Sequence, residues 1–218
     1  MDNTLNIFII KLMKFLNVWS HENYDKKDIF NYRFLIENGY ICDLDLSMNN
    51  TYIVVYYNKN NKKLIVYLDG IGMEYSNYFE RLDFLKCKNL FDEYSDRVKK
   101  TVNIINQKYN DYQKLYLGYC LGGYMLNNYV NGENIRAYTY NSFGIKHTNN
   151  NIQVTNYCQE LDLQNCFWRL DKNSKVINTH KKYVMEQFLN FYKIDLADFF
   201  LQLHLINSVD DKFITVEF

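Results

Sequence analysis

Cys120 stands inside Gly118-Tyr119-Cys120-Leu121-Gly122-Gly123, after the apolar run Leu115-Tyr116-Leu117 and before the run from Tyr124 to Val130. A strand that passes through Gly-x-Cys-x-Gly straight into a helix puts a nucleophile on a sharp, strained turn. The flanking glycines, Gly118 and Gly122, let strand and helix approach closely. The thiol then lies at a helix N-terminus, where backbone N–H groups favour negative charge. The amide of Leu121 becomes one arm of an oxyanion hole. The chemistry this permits is acyl transfer: a thiolate attacks a carbonyl and a thioester acyl-enzyme forms.

Such a nucleophile needs a base and an acid, in the chain order nucleophile, acid, histidine. Cys120, Asp162 and His180 fit that order. Glu160 and Asp171 compete for the acid, and Asp162 sits better after the strand expected at 152–157. His204 lies in the apolar run from Phe199 to Ile206, where a histidine is more often a core residue. His147 precedes the acid and is out of order.

The elbow resembles that of the class 3 lipases, which usually reads Gly-His-Ser-Leu-Gly-Gly. Upstream, Lys63 to Ile71 is similar to the family's strand ending in Arg-Gly-Ser or Arg-Gly-Thr. That match implies Ile71 as the second oxyanion-hole residue, through its backbone N–H. Downstream, Val154 to Asp162 resembles the strand and loop that deliver the family's aspartate, and Val176 to Met185 the segment with its histidine. The resemblance covers about residues 50–190. It implies an α/β-hydrolase fold with a mostly parallel central sheet and helices on both faces.

Three positions depart from the family pattern. Cys120 replaces serine, Tyr119 replaces histidine, and Ile71 replaces a hydroxyl residue. Sulfur is larger than oxygen, and Ile71 offers no side-chain donor to an oxyanion. One lost donor costs on the order of 10²–10³ in rate. Two expectations follow. One is a hydrolase or acyltransferase acting on an ester, thioester or amide, with an acyl or lipid-like substrate. The other is a degenerate lipase fold with a protein partner and a binding or structural role, for instance within a virus particle.

The elements that must position these residues are legible in outline. Residues 26–38 read as a short helix ending at Gly39, and Tyr40 to Leu46 as a first strand. Thr51–Tyr57 and Lys63–Leu68 flank an Asn-rich loop, a hairpin signal. The second run is nearly all apolar, as in a strand buried on both faces. Residues 93–109 carry Val98, Val102, Ile105 and Tyr109 at helical spacing. Ile135–Tyr140 and Ile152–Tyr157 read as strands, and residues 183–203 as helical. Alternating helix and strand predicts a mostly parallel sheet with covering helices. Met73 to Phe79 is read as a surface loop or short helix, with a lid over the site as the sharper alternative.

At 218 residues the chain is expected to form one domain. Lysine plus arginine and aspartate plus glutamate both number 25, which argues against nucleic acid as a partner. The 21 tyrosines and the absence of proline suggest an AT-rich genome. Five cysteines without a Cys-x-x-Cys pair point to a reducing, intracellular setting. Cys158, Cys166 and His147 match no zinc-ligand spacing, and no metal or cofactor is expected. The N-terminus starts acidic, and Lys11 and Lys14 interrupt its apolar run, unlike a signal peptide. Residues 1–20 read as an amphipathic helix packed on the core, with peripheral lipid contact as the alternative.

Overall fold

The computed structural model describes Met13 and residues 33–48, 53–70, 84–142, 152, 154–159 and 175–177. Its centre is a seven-stranded sheet whose spatial order follows the chain. In that order the strands are β1 (Ile41–Cys42), β2 (Ile53–Asn58), β3 (Lys63–Leu68), β4 (Gln113–Tyr119), β5 (Ile135–Tyr140), β6 (Val154–Gln159) and β7 (Lys175–Ile177). β1, β2 and β3 pair antiparallel, and every later pairing is parallel. The architecture is α/β, with a mixed, mostly parallel sheet and helices. The expected hairpin forms as β2 and β3, with Val55 opposite Val66.

Among the described residues the helices with described bounds are α1 (Arg33–Glu37), α2 (Leu44–Met48), α3 (Phe84–Lys108) and α4 (Leu121–Tyr129). α3 links β3 to β4, and α4 links β4 to β5. Each crossover moves one strand further in the same direction across the sheet. Right-handed crossovers therefore put both helices on one face. There Val98, Val102 and Ile105 of α3 and Met125 and Leu126 of α4 pack with Leu64, Val66 and Leu68 of β3. The opposite face is rich in tyrosine: Tyr56, Tyr67, Tyr119, Tyr138, Tyr140 and Tyr157 cluster with Leu35 of α1 and with Met13. Met13 is helical and fully buried; the rest of the helix expected over 1–20 lies outside the described residues.

Gly39 ends α1 as expected, with a left-handed φ of 77°. Its N–H donates to Ile36 O and that of Tyr40 to Leu35 O, the pairing that satisfies the last carbonyls of a helix. The strand expected over Tyr40–Leu46 stops at Cys42 instead. Asp43 Oδ1 accepts the Leu46 N–H at 3.3 Å, and an aspartate capping α2 in this way turns the chain out of the sheet. Asp43 is also tied to α3, accepting from Lys108 Nζ at 2.8 Å and Tyr109 OH at 2.7 Å. Two further boundaries shift: α3 begins at Phe84 rather than at 93, and the strand expected over 152–157 runs from Val154 to Gln159.

Candidate functional site

β4 ends at Tyr119 and α4 begins at Leu121, so Cys120 alone makes the turn between them. Its φ of 50° and ψ of −117° put it in the left-handed half of backbone space, which costs a non-glycine residue on the order of 1–3 kcal/mol. Hydrogen bonds hold it there. The Cys120 N–H donates to Tyr140 O at 3.1 Å, and Cys120 O accepts the Tyr124 N–H at 3.2 Å. The thiol is free and partly exposed. The side chain lies where the two core clusters meet, packing against both.

The glycines explain how strand and helix come so close. A Cβ on Gly118 would lie 2.8 Å from the Gly123 Cα. One on Gly122 would lie 2.0 Å from the Leu68 carbonyl oxygen and 2.5 Å from that of Asp69. The first turn of α4 therefore rests directly on the end of β3. The leading N–H groups of a helix have no partner within it, and Cys120 places no side-chain cap over them. Leu121, the expected oxyanion-hole residue, is the first residue of that turn.

The end of β3 forms the neighbouring wall. A Cβ on Gly70 would meet the Cys120 Cβ at 3.0 Å and the Tyr119 ring at 3.3 Å. Asp69, before it, is buried at 2% exposure. Its Oδ1 accepts from Tyr67 OH at 2.9 Å and from the Gly70 N–H at 2.8 Å. Its carbonyl accepts from Tyr94 OH of α3 at 2.8 Å. Burial, then the Asp69 charge and hydrogen bond, push the Tyr67 phenol well above its ordinary value.

Tyr119 stands where the similar family has histidine. It is buried on the tyrosine-rich face and stacks on Tyr140 with ring centroids 6.3 Å apart. Behind α4 lies a buried polar cluster. Asn127 Nδ2 donates to Gly123 O at 3.0 Å, and to Ser142 Oγ and Asn156 Oδ1, both at 3.3 Å. Thr139 Oγ1 donates to the same Asn156 oxygen at 2.5 Å. These bonds tie α4 to β5 and to β6, the strand after which the acid candidates follow.

Of the residues singled out from sequence, Cys120, Leu121, Gly118 and Gly122 come together in this turn. Ile71, Asp162 and His180 lie outside the described residues, as do Glu160, Asp171, His147, His204, Cys166 and the segment from Met73 to Phe79. Asp69, Tyr94 and the Asn127–Asn156 pair were not legible as parts of the site. Asp69 carries one signal, a carboxylate closing a nearly all-apolar strand just before Gly70. No helix among the described residues is long and apolar enough to cross a membrane.

Comparison with known protein families found no match, and comparison with curated proteins found none. Among solved structures, the chain is similar to the Rhizomucor miehei lipase propeptide complex, at 14% identity and a TM-score of 0.42. That match covers 60% of this chain and 53% of the other, so this chain spans about half the length of the lipase chain it matches.

Proposed function

We propose that this chain is an α/β-hydrolase of the lipase-like kind that transfers acyl groups through Cys120. The observation that carries the reading is the backbone at Cys120. A non-glycine residue held at φ 50° and ψ −117° between a strand and a helix is the strained turn that exposes a nucleophile. Gly70 clears the space beside the Cys120 Cβ, Gly118 lets β4 and the first turn of α4 approach, and Gly122 lets that turn rest on the end of β3. Strain of this size persists where the surrounding structure over-determines it and the strain serves a mechanism.

In this reading His180 takes the thiol proton, and the Cys120 sulfur attacks the carbonyl carbon of an ester. The oxyanion forms against the Leu121 N–H and a second N–H from the segment after β3, assigned to Ile71. The C–O bond breaks, and His180 returns the proton to the leaving alcohol. Water then attacks the thioester, again with His180 as base, releasing the acid and the thiol. Asp162 orients His180. The substrate class is a carboxylic ester or thioester with an acyl or lipid-like chain.

The test is hydrolysis of p-nitrophenyl esters and acyl thioesters of graded chain length by the parent, Cys120→Ala and His180→Ala. Turnover by the parent, with both variants down by at least about 10³, supports the reading. Turnover unchanged in Cys120→Ala overturns it. A folded parent inert on the whole panel favours the other expectation, a retired site kept for binding a protein partner.

A further inference from the structure

The peptide unit between Asp69 and Gly70 borders Cys120 and is held at both ends by side chains. Its carbonyl accepts from Tyr94 OH at 2.8 Å. Its N–H donates to the carboxylate of Asp69 itself at 2.8 Å. That same carboxylate oxygen is anchored by Tyr67 OH at 2.9 Å. Tyr67 belongs to the tyrosine-rich face of the sheet and Tyr94 to the face under α3. The peptide plane is therefore clamped from both sides of the sheet, at the point where the chain leaves β3.

We propose that Asp69 and Tyr94 are positioning residues for acyl transfer at Cys120, fixing the peptide plane that walls the nucleophile and against which the first turn of α4, with the Leu121 N–H, rests. The inference rests on the acyl-transfer reading. Two observations carry it. The clamped peptide is in contact with the nucleophile, because a Cβ on Gly70 would lie 3.0 Å from the Cys120 Cβ. It also supports the elbow helix, because Gly122 sits against the Leu68 and Asp69 carbonyls. A rotation of the clamped peptide moves the Asp69 carbonyl on which Gly122 rests, and with it the first turn of α4 and the Leu121 N–H. A displacement of about 1 Å at a reacting centre costs on the order of 10²-fold in rate.

The test compares two reactions of the same sulfur in the full chain. Acylation by p-nitrophenyl butyrate passes through an oxyanion. Alkylation by iodoacetamide does not, and reads only access to the thiolate. Both rates at Cys120 are measured by peptide mass spectrometry for the parent, Tyr94→Phe, Asp69→Leu and Asp69→Asn. Tyr94→Phe loses a single hydroxyl, so the question stays answerable if Asp69→Leu fails to fold. Acylation is expected to fall by on the order of 10- to 100-fold in Tyr94→Phe and Asp69→Leu, with alkylation within about threefold of the parent by the same argument. Asp69→Asn keeps an oxygen for both donors and is expected to retain the parent's ratio. A parent that is acylated, with the same ratio of acylation to alkylation in Tyr94→Phe, overturns the positioning role alone. A parent that is alkylated but never acylated overturns the acyl-transfer reading and this inference with it.

Discussion

Gly122 and Leu68 are in such close contact that a Cβ on the glycine would stand 2.0 Å from the leucine carbonyl oxygen. The obstacle is backbone at the end of a central strand, which cannot move aside as a side chain can. Gly122→Ala must push α4 off the sheet, and overpacking of this kind costs about 3 kcal/mol. For a domain of this size the Tm should fall by on the order of 6–12 °C. A thermal melt within about 2 °C of the parent would show that the helix does not rest on β3 as described.

The strain at Cys120 has its own signature. Glycine and alanine both remove the thiol, but only glycine occupies φ 50° without steric cost. Cys120→Gly should therefore be more stable than Cys120→Ala by about 1 kcal/mol or more, read from chemical unfolding midpoints at equal m-value. Equal stability, or an advantage for alanine, means that the turn is relaxed and the strain argument is lost.

Asp43 sets part of the acid limb of stability. Burial pushes its carboxyl up, but hydrogen bonds from Lys108, Tyr109 and the Leu46 N–H, with the Lys108 charge, outweigh this and hold it below its ordinary value. A depressed folded-state pKa gives stability that is present above the unfolded value of about 3.9. That stability is lost as the pH falls through the folded value. Asp43→Asn should be less stable than the parent at pH 7, with the gap narrowing below about pH 4. Unfolding free energies measured from pH 7 to pH 2 that stay a constant distance apart would contradict this.

The two described thiols should react differently. Burial, with the nearby Asp43 charge, pushes the Cys42 thiol up to about 11, and its hydrogen bond to Ser47 only partly offsets this. Native Cys42 should resist iodoacetamide at pH 8, label faster as the pH approaches 11, and label readily once the protein is unfolded. Rapid native labelling of Cys42 at pH 8 would show that this end of the sheet opens.

Much of this was legible in the sequence where local chemistry and tertiary structure agree. The Asn58–Lys62 loop between two β-branched runs gave the hairpin of β2 and β3, and the Gly-x-Cys-x-Gly run gave the turn at Cys120. Legibility failed where tertiary contacts override local preference. α4 reads as starting at Tyr124, because Gly122 and Gly123 are poor helix formers. It begins at Leu121, because only glycine fits against Leu68 and against Ser142. β1 reads as longer, because a capping role for Asp43 depends on Lys108 and Tyr109, some 65 residues away. β7 has three residues, too few to show a period. The clamp of Tyr67, Asp69 and Tyr94 joins residues of a strand and a helix and has no sequence spacing to reveal it.

The most direct measurement of the central claim is rapid-quench peptide mass spectrometry of the parent mixed with p-nitrophenyl butyrate. A butyryl group is expected on the peptide carrying Cys120, formed at the rate of the p-nitrophenol burst and absent from the peptide carrying Cys42. It should accumulate further in His180→Ala if deacylation is slowed more than acylation. p-Nitrophenol release by a folded parent with no acyl group on Cys120 at any time, and with equal turnover by Cys120→Ser and Cys120→Ala, would contradict it.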